Sequence, residues 1–178
     1  KEDSASFMSS TLPTGLERLS LYHNRLTSIA PSCLYNLRHT LTYLDLGRNQ
    51  LQFIDGNALS SCQLLTHVVL SQNKLTSVPT PLHLPMLQAL WLSGNRLSDL
   101  LPWVSPRSNS TSNSNSDDNN DSDSGPIKIG RSLSDIKFPL FTPLLNKLYL
   151  NDNNIHSLPH EVTCQLPLLA HLDISFNN

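Results

Sequence analysis

The chain has 178 residues, with 12 lysines and arginines against 14 aspartates and glutamates and a formal net charge of −2, a balance that argues against a broadly basic nucleic-acid surface. Cys33, Cys62 and Cys164 stand singly and far apart, without CxxC or Cys/His ligand spacing, which leaves them as small hydrophobes for the interior. The sequence contains neither a signal-peptide pattern nor an apolar run near the ~18 residues that a membrane span needs.

Residues 1–15, KEDSASFMSSTLPTG, are polar with Phe7, Met8 and Leu12 scattered among them. They read either as a degenerate earlier repeat or as a polar leader. A pattern then begins at Leu16: an apolar residue, two others, an apolar, one, an apolar, two, an asparagine (Asn24), one, an apolar. Leu34 and Leu37 follow with the spacing of a short helix or helical turn. The second copy, LTYLDLGRNQL from Leu41 to Leu51, is the cleanest, and its inward residues continue through Ile54, Leu59 and Cys62. The third starts at Leu65 and shortens around Pro79, Pro81 and Pro85, which predicts an extended or tight-turn segment in place of a regular helix.

The fourth copy starts at Leu87 and leads through Pro102 and Trp103 into a different composition. Residues 104–136 read as an insertion. Within it, 105–125 contain no leucine, isoleucine, valine or aromatic residue, too little apolar surface to offset ordering entropy, so disorder is predicted there. Residues 127–141, with Ile127, Ile129, Leu133, Ile136, Phe138 and Leu140 among their apolar side chains, are expected to pack back on the convex side or edge. Regular copies resume at Leu145 and Leu169, giving starts 25, 24, 22, 58 and 24 residues apart. The long interval is one 24-residue repeat with 34 additional residues. The sixth copy stops after Asn177 without its convex half, and a solenoid end needs a polar cap, so the chain reads as a fragment of a longer protein.

Six copies, each with its asparagine (Asn24, Asn49, Asn73, Asn95, Asn153, Asn177), resemble the leucine-rich repeat family over nearly all of residues 16–178. The resemblance implies an α/β solenoid with a curved parallel sheet on the concave face and short helices, turns or extended segments on the convex face. The asparagines fall where the chain leaves the sheet, and a short amide both donates and accepts there, so all six are expected to serve the backbone.

Repeat phase assigns the exposed concave side chains. The central column is Ser20, Asp45, Val69, Trp91, Tyr149, Asp173; the column before it is Arg18, Tyr43, His67, Ala89, Lys147, His171; the column after it begins at Tyr22. The expected partner-binding set is Tyr22, Tyr43, Asp45, His67, Val69, Trp91, Lys147, Tyr149 and Asp173, because exposed aromatic residues dominate interface energetics. His67 and His171 lie three repeats apart, too far to share a metal. Asp45 and Asp173 are likewise too far apart for paired-carboxylate chemistry. Asp152 alone is a weak calcium signal, and no phosphate loop is present. Neither an enzyme, a metal site nor a cofactor is expected. Asn109 in Asn-Ser-Thr is a glycan acceptor on a secretory route, and Ser134, three residues after Arg131, is a possible phosphorylation site.

The expected function is binding of a protein or peptide on the concave face, in signalling or scaffolding, as the resemblance to intracellular members implies. A regulatory domain of a larger phosphatase or kinase and an extracellular receptor or adhesion ectodomain are the alternatives. Nucleic acid is not expected as a partner, membrane association is left open, and the cysteine pattern points to the cytoplasm.

Overall fold

The computed structural model describes residues 12–98, 100, 140–159, 162 and 164–178. Most of the leader (1–11) and the whole insertion at 104–136, with Asn109 and Ser134, lie outside them.

Each repeat supplies three residues of extended chain: β1 (Arg18–Ser20), β2 (Tyr43–Asp45), β3 (His67–Val69), β5 (Ala89–Trp91), β7 (Lys147–Tyr149) and β8 (His171–Asp173), with β4 (Leu82–His83) and β6 (Leu140–Phe141) set apart on the convex side. Three residues cannot form a stable strand alone, so each completes its hydrogen bonds on its neighbours. The six concave strands form one parallel sheet in the order β1-β2-β3-β5-β7-β8. Its register is constant, aligning Arg18, Tyr43, His67, Ala89, Lys147 and His171 in one row. The pairing of β5 with β7 spans the 58-residue interval without a shift.

Alternation along each strand turns the middle residue inward. Leu19, Leu44, Val68, Leu90 and Leu148 are buried, as are the repeat-start residues Leu41, Leu65, Leu87 and Leu145. On the convex side a 3-10 helix, Pro31–Leu37, buries Cys33, Leu34 and Leu37. The next repeat has a short α-helix, α1 (Gly56–Ser60), whose preceding Asp55 carboxylate accepts a bond from the Asn57 N–H at 2.9 Å. The proline-rich third repeat has no helix here; β4 instead pairs in parallel with β6, and His83 stacks on Phe141 with centroids 4.7 Å apart. Cys33 and Cys62 are buried, but Cys164 is exposed, because it stands at the repeat position of exposed Tyr35, while Leu166 takes the buried position of Leu37 and Cys62.

The asparagines tie consecutive repeats together. Asn73 accepts the Leu51 N–H on Oδ1 at 3.0 Å, and its Nδ2 donates to the carbonyls of Leu46 and Leu70. Asn49, Asn95 and Asn153 do the same in their repeats and are buried. Asn24 in the first repeat is exposed and, among the described residues, bonds only to carbonyls of its own turn. The residue before each asparagine is left-handed in every repeat: His23, Arg48, Gln72, Gly94, Asp152 and Phe176 have φ between 51° and 66°.

Candidate functional site

The outward side chains of the concave strands come together as a continuous ring column. Arg18 sits over the Tyr43 ring with its guanidinium carbon 4.2 Å from the centroid. Tyr43 then neighbours His67 at 6.2 Å, His67 stacks on Trp91 at 5.9 Å, Trp91 on Tyr149 at 5.6 Å, and Tyr149 meets His171 at 5.0 Å. The column changes row twice. Ala89 leaves room in the first row, so His67 reaches diagonally to Trp91 in the central row, and Tyr149 returns to His171.

Local bonds fix the rings. The Thr66 hydroxyl donates to the Thr42 carbonyl at 2.9 Å and lies 2.8 Å from His67 Nδ1. The strand-end aspartates turn the other way. Asp45 accepts from the Gly47 N–H at 2.9 Å, and Asp173 from the Ser175 N–H and hydroxyl at 3.0 and 2.7 Å. The Ser175 hydroxyl, followed by its N–H, holds the Asp173 carboxyl below its ordinary range.

A cleft of about 600 Å³ opens where the column meets the N-terminal edge of the strands. His67, Ala89 and Trp91 of the strands line it with Lys147, and so do Leu144 and Leu168 from before the strands.

Of the residues expected at the site, Tyr43, His67, Trp91 and Tyr149 meet directly, and Lys147 borders their cleft. Val69 lies between Asp45 and Trp91 in the central row. Tyr22 stands apart beyond the other strand ends, with the Arg48 guanidinium 5.8 Å above its ring, and Asp45 and Asp173 lie on separate strands with no shared partner. Arg18, His171, Ala89, Leu144 and Leu168 were not in the expected set. Arg18, His171 and Ala89 share a strand row with Tyr43, His67 and Lys147, so the repeat phase already carried that signal; Leu144 and Leu168 lie three residues before Lys147 and His171, a position outside the strand. Among the described residues no group of three His, Cys, Asp or Glu side chains is placed to hold a metal ion. No described helix is long and apolar enough to cross a membrane.

The leucine-rich repeat family model matches residues 14–75 and 39–97. Lumican of Gallus gallus is 28% identical over 94% of this chain and 53% of its own length, and keratocan of Danio rerio is 25% identical over 89% and 49%. The chain spans about half the length of the curated relatives it matches. Two solved solenoids share the fold: TLR13 in a complex with ssRNA13 (TM-score 0.64, 24% identity, 92% of this chain, 18% of that one) and LRIM1/APL1C (0.63, 22%, 92% and 24%). The leucine-rich repeat model spans residues 14–97, and the described array has the leucine-rich repeat fold.

Two expectations are corrected by these likenesses. The cytoplasmic location does not stand, because lumican, keratocan, TLR13 and LRIM1 are extracellular or secreted proteins; single cysteines in an array without its flanks are not a compartment signal. The exclusion of nucleic acid does not stand either, because a solenoid of this fold is solved with single-stranded RNA. Net charge averages over the whole surface and is silent about one column of it.

Proposed function

We propose that this array is the recognition surface of an extracellular leucine-rich repeat protein of receptor, adhesion or matrix type, and that it binds a protein or peptide on its concave face. The ring column from Tyr43 through His67, Trp91 and Tyr149 carries the reading, since it sets large, rigid side chains at the centre of a rigid sheet. Likeness to lumican and keratocan supports the extracellular setting, and LRIM1, solved in complex with APL1C, supports a protein partner. In that setting Asn109 is an acceptor for an N-linked glycan.

Expression of the complete coding sequence in animal cells tests the setting. The protein should reach the surface or medium, and glycosidase treatment should lower its mass unless Asn109→Gln is present. Retention in the cytosol without a glycan would sink the reading. For the surface, a partner selected from displayed extracellular domains should lose about thirtyfold in affinity to the Trp91→Ala, Tyr149→Ala double variant, the equivalent of ~2 kcal/mol. Unchanged affinity would remove the concave face from the assignment.

A second reading is single-stranded nucleic acid, favoured by Arg18, Lys147 and two histidines in one strand row and by the ssRNA complex of TLR13. Its mark is affinity that falls steeply with salt.

A further inference from the structure

The residue three places before each strand row forms a row of its own. In the last four repeats it is Leu64, Met86, Leu144 and Leu168, all solvent-exposed at 43, 45, 38 and 53%. Single exposed apolar residues are ordinary, but four aligned across adjacent repeats make a contiguous stripe. Beside it runs the cationic and aromatic strand row, and the intervening side chains are Thr66, Gln88, Asn146 and Ala170. None of these carries a carboxylate. The central aspartates are turned to the opposite strand ends by Gly47 and Ser175, and the acid at the matching position of this edge, Glu17, lies in the first repeat, two repeats before the stripe begins. The Lys147 ammonium makes no ion pair or hydrogen bond with the described residues, while its backbone N–H donates to the Gln88 carbonyl. The cleft joins stripe and row, since Leu144 and Leu168 line it together with Lys147 and His67.

From this we infer that the N-terminal edge of the sheet docks an acidic amphipathic helix of a partner protein, with its apolar face on the Leu64–Leu168 stripe and its carboxylates toward Lys147 and the adjoining row. Spacing selects a helix over an extended segment. Successive positions of the stripe are about one strand spacing apart, ~4.8 Å, close to the ~5.4 Å of a helical turn, while same-face side chains of an extended chain recur only every ~6.6 Å. Charge selects acid. Ring geometry favours a peptide over a stacking nucleobase, because Trp91 has His67 on one face and Tyr149 on the other, and Arg18 covers Tyr43. The column therefore offers ring edges. The inference rests on the concave-face reading and names the chemistry of its partner.

The test uses the full chain and synthetic helical peptides bearing leucines at i, i+4 and i+7 with flanking glutamates. Controls replace the glutamates by glutamine or the leucines by alanine. By heteronuclear NMR, the acidic peptide should shift the Trp91 indole N–H and the amides of Leu144, Lys147 and Leu168. Either control peptide, and either Lys147→Gln or Leu168→Ser, should weaken binding about tenfold, as loss of a charge-assisted bond or a buried apolar side chain predicts. Both substituted residues are exposed, and unchanged spectra elsewhere will show that the variants fold. Equal binding of acidic and glutamine peptides overturns the inference, as does a stronger shift of the same resonances by a single-stranded RNA. If the selected partner loses affinity to Trp91→Ala, Tyr149→Ala but not to Lys147→Gln, Leu168→Ser, the edge inference fails while the concave reading stands. If neither pair weakens it, both fail.

Discussion

Trp91 and Tyr149 lie ring over ring with centroids 5.6 Å apart and planes within 4°, although 57 residues lie between them in the chain. They meet because β5 and β7 are paired at equivalent positions. A double-mutant cycle of Trp91→Ala and Tyr149→Ala on urea unfolding should return a coupling of ~0.5–1.5 kcal/mol, the range for stacked aromatic pairs. Tyr149→Phe should keep most of that coupling. Additive single effects would show that the stacking contributes nothing to stability.

The inner asparagines should be costly to lose and the first one cheap. Asn95→Ala leaves the buried Leu75 N–H without its partner and takes one of two asparagine bonds from each of the Leu70 and Leu92 carbonyls, which keep those from Asn73 and Asn153, a loss of about 2 kcal/mol. Asn24→Ala removes bonds that water replaces, and its cost should stay below ~1 kcal/mol. Denaturant midpoints measured at constant m-value compare the two directly.

Gly56 opens α1 against the neighbouring repeat. A Cβ there would stand 2.1 Å from the Pro81 carbonyl oxygen and 2.5 Å from the Thr80 carbonyl carbon, both backbone atoms. Gly56→Ala should therefore destabilise by ~1–3 kcal/mol despite alanine's better helix propensity. A rise in the thermal midpoint would contradict this packing.

Burial pushes the Cys62 thiol above its ordinary range, against a smaller lowering by the Ser61 hydroxyl. The folded state then holds a proton that the unfolded chain releases first. Stability linked to this thiol is complete below the ordinary thiol range and declines as pH rises from there toward the raised folded value. Cys62→Ala should flatten that alkaline decline in pH-dependent unfolding. Native-state labelling with a thiol reagent should reach exposed Cys164 well before Cys62.

The sequence carried the architecture because a solenoid writes its core in a repeated pattern. Each leucine row and each asparagine appears in six copies, and the register of the sheet follows from counting along them. The concave rows were legible for the same reason, including the place of Trp91 in the centre. What phase did not carry is the lean of a side chain between rows. His67 joins Trp91 diagonally only because Ala89 is small, and that is a relation between three repeats. The pairing of β4 with β6 was hidden similarly, since Leu82 and Leu140 belong to no repeated position. The partner and compartment are properties outside the periodic pattern altogether, and the asparagines say nothing about either.

The left-handed residue at each turn has one more consequence. Five of the six are side-chain-bearing residues, His23, Arg48, Gln72, Asp152 and Phe176, each held where an L-residue sits about 1 kcal/mol above its preferred backbone. That makes the array a chain of identical springs, each kept wound by the pairing on either side. A break in the ladder would release the turns beside it as well, so local damage should spread along the solenoid by whole repeats.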